Sequence, residues 1–130
     1  MGVNTSGAPN NGSVATPRPN QIGNPNNGPK TFTQFFNTAA FAPVTVSGAS
    51  GNERRGAVNG PGLWRYDMAL LKNTRIRESV NLQFRAEGFN LFNHTNFQTV
   101  GTTLTTTSTF GHVTAVRDPR ILQLALKLNF

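Results

Sequence analysis

This chain of 130 residues contains no cysteine, which excludes a disulfide framework and any thiolate metal site. No stretch approaches the ~20 consecutive apolar residues that a membrane-spanning helix needs. Acidic side chains are scarce, 5 Asp+Glu against 12 Lys+Arg, for a net charge of +7. Such a balance can mark a nucleic-acid partner. Here the basic residues fall as singles and pairs, with Arg54-Arg55 the longest cluster, and no RNA-binding fingerprint accompanies them, so no nucleic-acid partner is expected. The first residues, Met1 to Gly7, carry neither the basic start nor the apolar run of a secretory leader.

What the chain does have is turn chemistry and, late on, alternation. Thirteen Gly and eight Pro, with many Asn, Thr and Ser, concentrate in residues 1–62 and 93–120. Pro9-Asn10-Asn11-Gly12, Pro17-Arg18-Pro19-Asn20 and Gly23 to Pro29 are turn formers that cannot order themselves by burial alone. Within this region Thr31 to Phe41 is an aromatic island, suited to dock as an irregular segment or a single helical turn.

From residue 63 the pattern sharpens. Strands are expected at about 63–73, 80–92 and 121–130, with 74–79 as a short link and 93–120 as a long loop. Val80 to Glu87 alternates apolar and polar without a fault, and its phase slips over 88–92, as a bulge or a departure from the sheet would produce. At the terminus Leu122, Leu124, Leu126, Leu128 and Phe130 fall on every second position, with Gln123, Lys127 and Asn129 between them. A period of two sends the two sets to opposite faces of a strand. A soluble edge strand or an amphipathic helix would also accommodate these last ten residues.

Taking every second residue of 64–72, 80–88 and 122–130, Lys72 is the one charged side chain, and it falls at an expected strand end. The opposite phase carries Arg65, Asp67, Asn81, Gln83, Arg85, Glu87, Gln123, Lys127 and Asn129. Lipid imposes such an exclusion, because a charge facing mid-bilayer costs about 2–4 kcal/mol. Ten residues at ~3.3 Å each, tilted near 45°, cover roughly 23 Å, close to the ~25 Å apolar band of an outer membrane. Short turns on one side and long loops on the other are the transmembrane-barrel pattern. With a periplasmic C-terminus, 93–120 lies outside, and Trp64, Tyr66, Phe89 and Phe92 fall near the outer interface. The expected fold is therefore all-β: an antiparallel meander of about three strands from the end of a transmembrane β-barrel, with long irregular loops. Residues 1–62 would form an irregular extracellular loop region and residues 63–130 the barrel strands. Leu122, Leu124, Leu126, Leu128 and Phe130 would face lipid and serve as the assembly signal. Asn81, Gln83, Arg85, Glu87, Gln123, Lys127 and Asn129 would face the lumen.

Gly62 to Asn73, Val80 to His94, Phe110 to Thr114 and Arg120 to Phe130, preceded by Phe36 to Phe41 and Gly60-Pro61-Gly62, resemble the end of TonB-dependent outer-membrane receptors, in particular the Oar-like group that also carries a carboxypeptidase-regulatory-like domain. The resemblance covers about residues 20–130. It implies a 22-stranded barrel closed by a plug, importing a scarce nutrient with energy from the inner membrane. The partners it implies are outer-membrane lipid, the rest of the barrel and plug, and the barrel-assembly machinery. Plug and TonB box have no counterpart in this sequence, so the expectation is a C-terminal fragment, inactive alone, located in the bacterial outer membrane. A soluble β-rich binding or adhesin module is the alternative.

No enzymatic constellation is present, and no cofactor or metal is expected. His94 and His112 lie in the expected outer loop without the converging ligands a metal needs. Asp67 and Glu87 invite a reading as paired acids across adjacent strands. Arg65 and Arg85, each two residues away in the same phase, fit better as their counter-charges.

Overall fold

The computed structural model describes residues 1–3, 18–46 and 49–130; the turn-forming Pro9 to Gly12 lies outside them. Among the described residues, seven strands occur in antiparallel pairings: β1 (Asn20–Gln21), β2 (Phe41–Ala42), β3 (Met68–Arg77), β4 (Val80–Phe89), β5 (Phe97–Val100), β6 (Val113–Val116) and β7 (Ile121–Asn129). One 3-10 turn, Thr38–Ala40, is the only helical element among the described residues. The fold is all-β, as expected. The chain divides into two units: Met1–Pro61 with Phe97–Val116, and Gly62–Asn96 with Arg117–Phe130.

The first unit brings together residues from both stretches expected as loop, 1–62 and 93–120. Residues expected as the outer loop 93–120 contain the β5–β6 hairpin, and its side chains share a core with the N-terminal region. Phe35, Phe36, Ala40, Phe41 and Val58 are buried with Val100, Phe110 and Val113. Phe36 stacks edge-on to Phe41 and Phe110, with ring centroids 5.9 and 5.3 Å apart. The aromatic island docks as an irregular segment ending in the 3-10 turn, which Asn37 caps by accepting the Ala39 N–H. Its backbone groups are satisfied from across the chain: Phe35 N–H donates to Gly111 O, and Phe32 O accepts the Val113 N–H. Gly28 permits a close approach to the island, since a Cβ there would lie 2.5 Å from Phe36 Cα. The turn-rich segments thus order by borrowing apolar partners from 97–116, a burial that no stretch of them supplies alone.

The second unit is a three-stranded sheet of order β3-β4-β7. β4 and β7 match the expected 80–92 and 121–130, shortened at one end each. β3 does not: it runs Met68–Arg77 rather than 63–73, and the expected link 74–79 shrinks to the turn Glu78-Ser79. The reason is pairing. β4 is regular from Val80, so its backbone groups find partners as far down as Arg75 and, past a bulge, Arg77. Lys72, expected at a strand end, consequently falls mid-strand, paired with Phe84. The phase slip after Gly88 is a departure from the sheet: Asn90 turns the chain at φ 49°.

Candidate membrane-facing sheet

Directly opposed residues of an antiparallel sheet share a face, so the register sorts the side chains. One face holds the rows Met68–Gly88–Leu122, Leu70–Ala86–Leu124, Lys72–Phe84–Leu126 and Thr74–Leu82–Leu128. The other holds Ala69–Glu87–Gln123, Leu71–Arg85–Ala125, Asn73–Gln83–Lys127 and Arg75–Asn81–Asn129. Of the residues expected to face lipid, Leu122, Leu124, Leu126 and Leu128 lie together on the first face. The seven expected to face the lumen lie together on the second.

Apart from Leu91, which lies over Gly88, this unit leaves the apolar face uncovered. Leu124 is 76 % exposed and Leu126 68 %, with Leu122, Leu128, Leu70 and Met68 all more than half exposed; Phe130, one residue past β7, is 96 % exposed. Fully burying each such side chain is worth roughly 1.5–3 kcal/mol. Leaving the row in water would forfeit a sum comparable to the ~5–15 kcal/mol that stabilises a whole domain. Such a contiguous apolar surface marks a membrane or a partner interface. β3 and β7 each also present one unpaired strand edge in this sheet, a backbone surface that calls for further pairing.

Two arginines of the polar phase, Arg85 and Arg65, are paired locally with carboxylates. Arg85 Nη2 lies 2.5 Å from Glu87 Oε1, and Arg65 Nε 2.7 Å from Asp67 Oδ1. Glu87 is paired across the ladder with Ala69 rather than Asp67, and each carboxylate keeps its own arginine.

At the rim where β3 begins and β4 ends, a clasp of asparagines joins the three strands. Asn90 is buried. Its N–H donates to Asp67 Oδ1 at 2.8 Å, and its side-chain amide donates to His94 O and Asp118 O while accepting the His94 N–H. Asn96 Oδ1 accepts the Trp64 N–H and Asn96 O accepts that of Arg117; Asn93 Oδ1 accepts that of Arg120. Asn90 and Asn93 both adopt left-handed φ, 49° and 53°, which Asn tolerates better than other side-chain-bearing residues. Asp67, one residue outside β3, is held below the usual carboxylate range, first by the Arg65 hydrogen bond and then by the Asn90 N–H; the same bond raises Arg65. The clasp escaped the sequence reading, although Asn90, Asn93 and Asn96 at spacings of three were its signal. His94, expected in the outer loop, belongs to it and lies edge-on to Trp64 at 5.1 Å. Trp64 and Tyr66 each pack against Phe92, at 5.7 and 5.6 Å, as an exposed aromatic cluster just beyond the start of β3.

Among the described residues no three His, Asp or Glu side chains come together as a metal site. No helix among them is long and apolar enough to cross a membrane, so a membrane-embedded reading of this chain rests on its strands. Neither a curated protein nor a solved structure matches the chain. A family model does: that of an outer membrane beta barrel domain, over residues 1–123. The match takes in the clasp and the alternating strands up to the first residues of β7, and with it this chain belongs to the outer membrane beta barrel domain family.

Proposed function

We propose that this chain supplies the C-terminal strands of a TonB-dependent transporter of the Oar-like type, a non-enzymatic barrel that takes up a nutrient across the outer membrane. The observation that carries the reading is the sheet itself: an exposed apolar row, an opposite face that gathers the polar and most of the charged side chains, and open edges on both β3 and β7. Three strands do not close a barrel, and in lipid every edge must be paired, so both edges take further strands. Further barrel strands complete the sheet, and the plug sits within the lumen they enclose. Lipid covers Leu122, Leu124, Leu126, Leu128 and Phe130, and water fills the side of Gln83, Arg85, Glu87 and Lys127. The exposed Phe130 at the end of the apolar row is the feature the barrel-assembly machinery reads.

The test uses the complete barrel protein in cells. Phe130→Asp lowers its outer-membrane level several-fold, and uptake through the unsubstituted protein stops when a protonophore collapses inner-membrane energy. Unchanged surface levels of Phe130→Asp overturn the assembly role. Uptake indifferent to the protonophore overturns energy-coupled transport and leaves a passive barrel.

A further inference from the structure

On the apolar face the middle strand carries its two smallest residues side by side in phase. Gly88 stands between Met68 and Leu122, and Ala86 between Leu70 and Leu124. Neighbouring strands are ~4.8 Å apart, so the two walls, Met68 with Leu70 and Leu122 with Leu124, stand on strands roughly 9.6 Å apart. Between them β4 itself contributes almost no side chain, and Leu91 reaches over the Gly88 end of that floor while the Ala86 end stays open. Phe84 closes the trough at one end, flanked by Lys72 and Leu126. Leu91 closes it at the rim: a Cβ built on Gly88 would lie 2.9 Å from Leu91 Cδ1 and 3.3 Å from Leu122 Cδ2. The groove so lined is open on its outer side and measures about 220 Å³, and apart from Glu87 every side chain around it is apolar.

We propose that this trough seats one acyl chain of a bilayer lipid as an ordered, protein-bound chain, distinct from the bulk lipid around the barrel. The occupant follows from size, chemistry and place. A volume of ~150 Å³ accommodates a benzene ring, so a groove of about 220 Å³ has room for a short run of methylenes. A helix, ~10 Å or more across with its side chains, does not enter between walls this close. The trough also lies in the face that the membrane-embedded reading turns to lipid, so an acyl chain reaches it without leaving the bilayer. Each methylene seated adds contacts to the leucine walls that a flat leucine surface lacks. This inference rests on that membrane reading, and the experiment separates the two.

The complete barrel protein, isolated from outer membranes, is placed in phosphatidylcholine vesicles doped with a phosphatidylcholine carrying a diazirine midway along one acyl chain. After photolysis, adducts are mapped by mass spectrometry. Met68, Leu70, Leu91, Leu122 and Leu124 are expected to carry at least five-fold more adduct than Leu126 and Leu128. Ala86→Leu, which fills the floor, is expected to remove that excess and leave the Leu126 and Leu128 adducts unchanged, a control that also reports correct insertion. If Ala86→Leu does not insert, Ala86→Val makes the same comparison with a smaller filling. Even labelling along the face, or an excess that survives the filled floor, overturns the seat and leaves bulk lipid contact. A trough unlabelled beside labelled Leu126 and Leu128 also overturns it, in favour of a protein occupant. No adduct anywhere on the face overturns the membrane reading itself.

Discussion

An arginine scan along β7 separates lipid from water and from a protein interior as the medium of the apolar face. Leu122, Leu124, Leu126 and Leu128 advance along one row, with Phe130 one step beyond. Each step of two residues is ~6.6 Å of strand, or ~4.7 Å of depth at a 45° tilt. Leu124 and Leu126 flank the centre of the nine-residue strand, so they sit nearest the mid-plane. Arginine there costs about 2–4 kcal/mol, falling to about 0–1 near the interfaces. A tenfold change in equilibrium constant corresponds to 1.4 kcal/mol, so the central variants lose roughly 30- to 700-fold in the folded/unfolded ratio. Ala125→Arg, between them on the opposite face, is expected to change stability by less than ~0.5 kcal/mol, as surface substitutions do. The assay is reversible urea unfolding of the complete barrel protein in phosphatidylcholine vesicles, one variant at a time. A profile peaked at Leu124 and Leu126 supports lipid contact. A flat profile with small costs means water, and large costs that persist at Leu122 and Phe130 mean a protein partner; either refutes the reasoning.

The clasp and the first unit carry further expectations. Asn90→Ala removes two donors and an acceptor and places a Cβ-bearing residue without Asn's tolerance at φ 49°. At about 0.5–1.5 kcal/mol per hydrogen bond it should cost about 2–4 kcal/mol, with Asn90→Gly losing the bonds but not the backbone fit and so costing less, measured by the same unfolding. The Asp67 carboxylate titrates lower in the folded protein than in the unfolded chain. Its contribution to the clasp is therefore complete above its unfolded value and is lost as pH falls through the folded one. The Asn90 amide signal in NMR should follow that acid-side midpoint, and Arg65→Gln should move the midpoint up; a midpoint indifferent to Arg65 sinks the assignment. Phe36, fully buried against Phe41 and Phe110, should cost about 3–5 kcal/mol on replacement by Ala, seen as accelerated tryptic cleavage after Lys30 and Arg54.

Legibility in the sequence followed the range of the forces involved. The alternation of 80–89 and 121–129 was readable because a period of two is a property of the strand alone. The extent of β3 was not, because Thr74 to Arg77 join the ladder only when β4 presents partners for them. The core of the first unit was hidden for the same reason. Nothing near Phe36 announces that Phe110 will meet it, and a polar, Thr-rich loop gives little sign that Val100 and Val113 are walls of a core. The clasp was hidden differently: its asparagines were visible, but their two left-handed turns, and the strand ends they bind, exist only in the folded chain.

By itself, then, the order of residues determined which side chains travel together on a strand and that one such set excludes charge almost completely. Local geometry alone decides that. Which strands lie side by side, where Lys72 falls along its strand, and the trough between Met68 and Leu122 were decided by the tertiary structure, because each depends on hydrogen-bond partners supplied by distant parts of the chain.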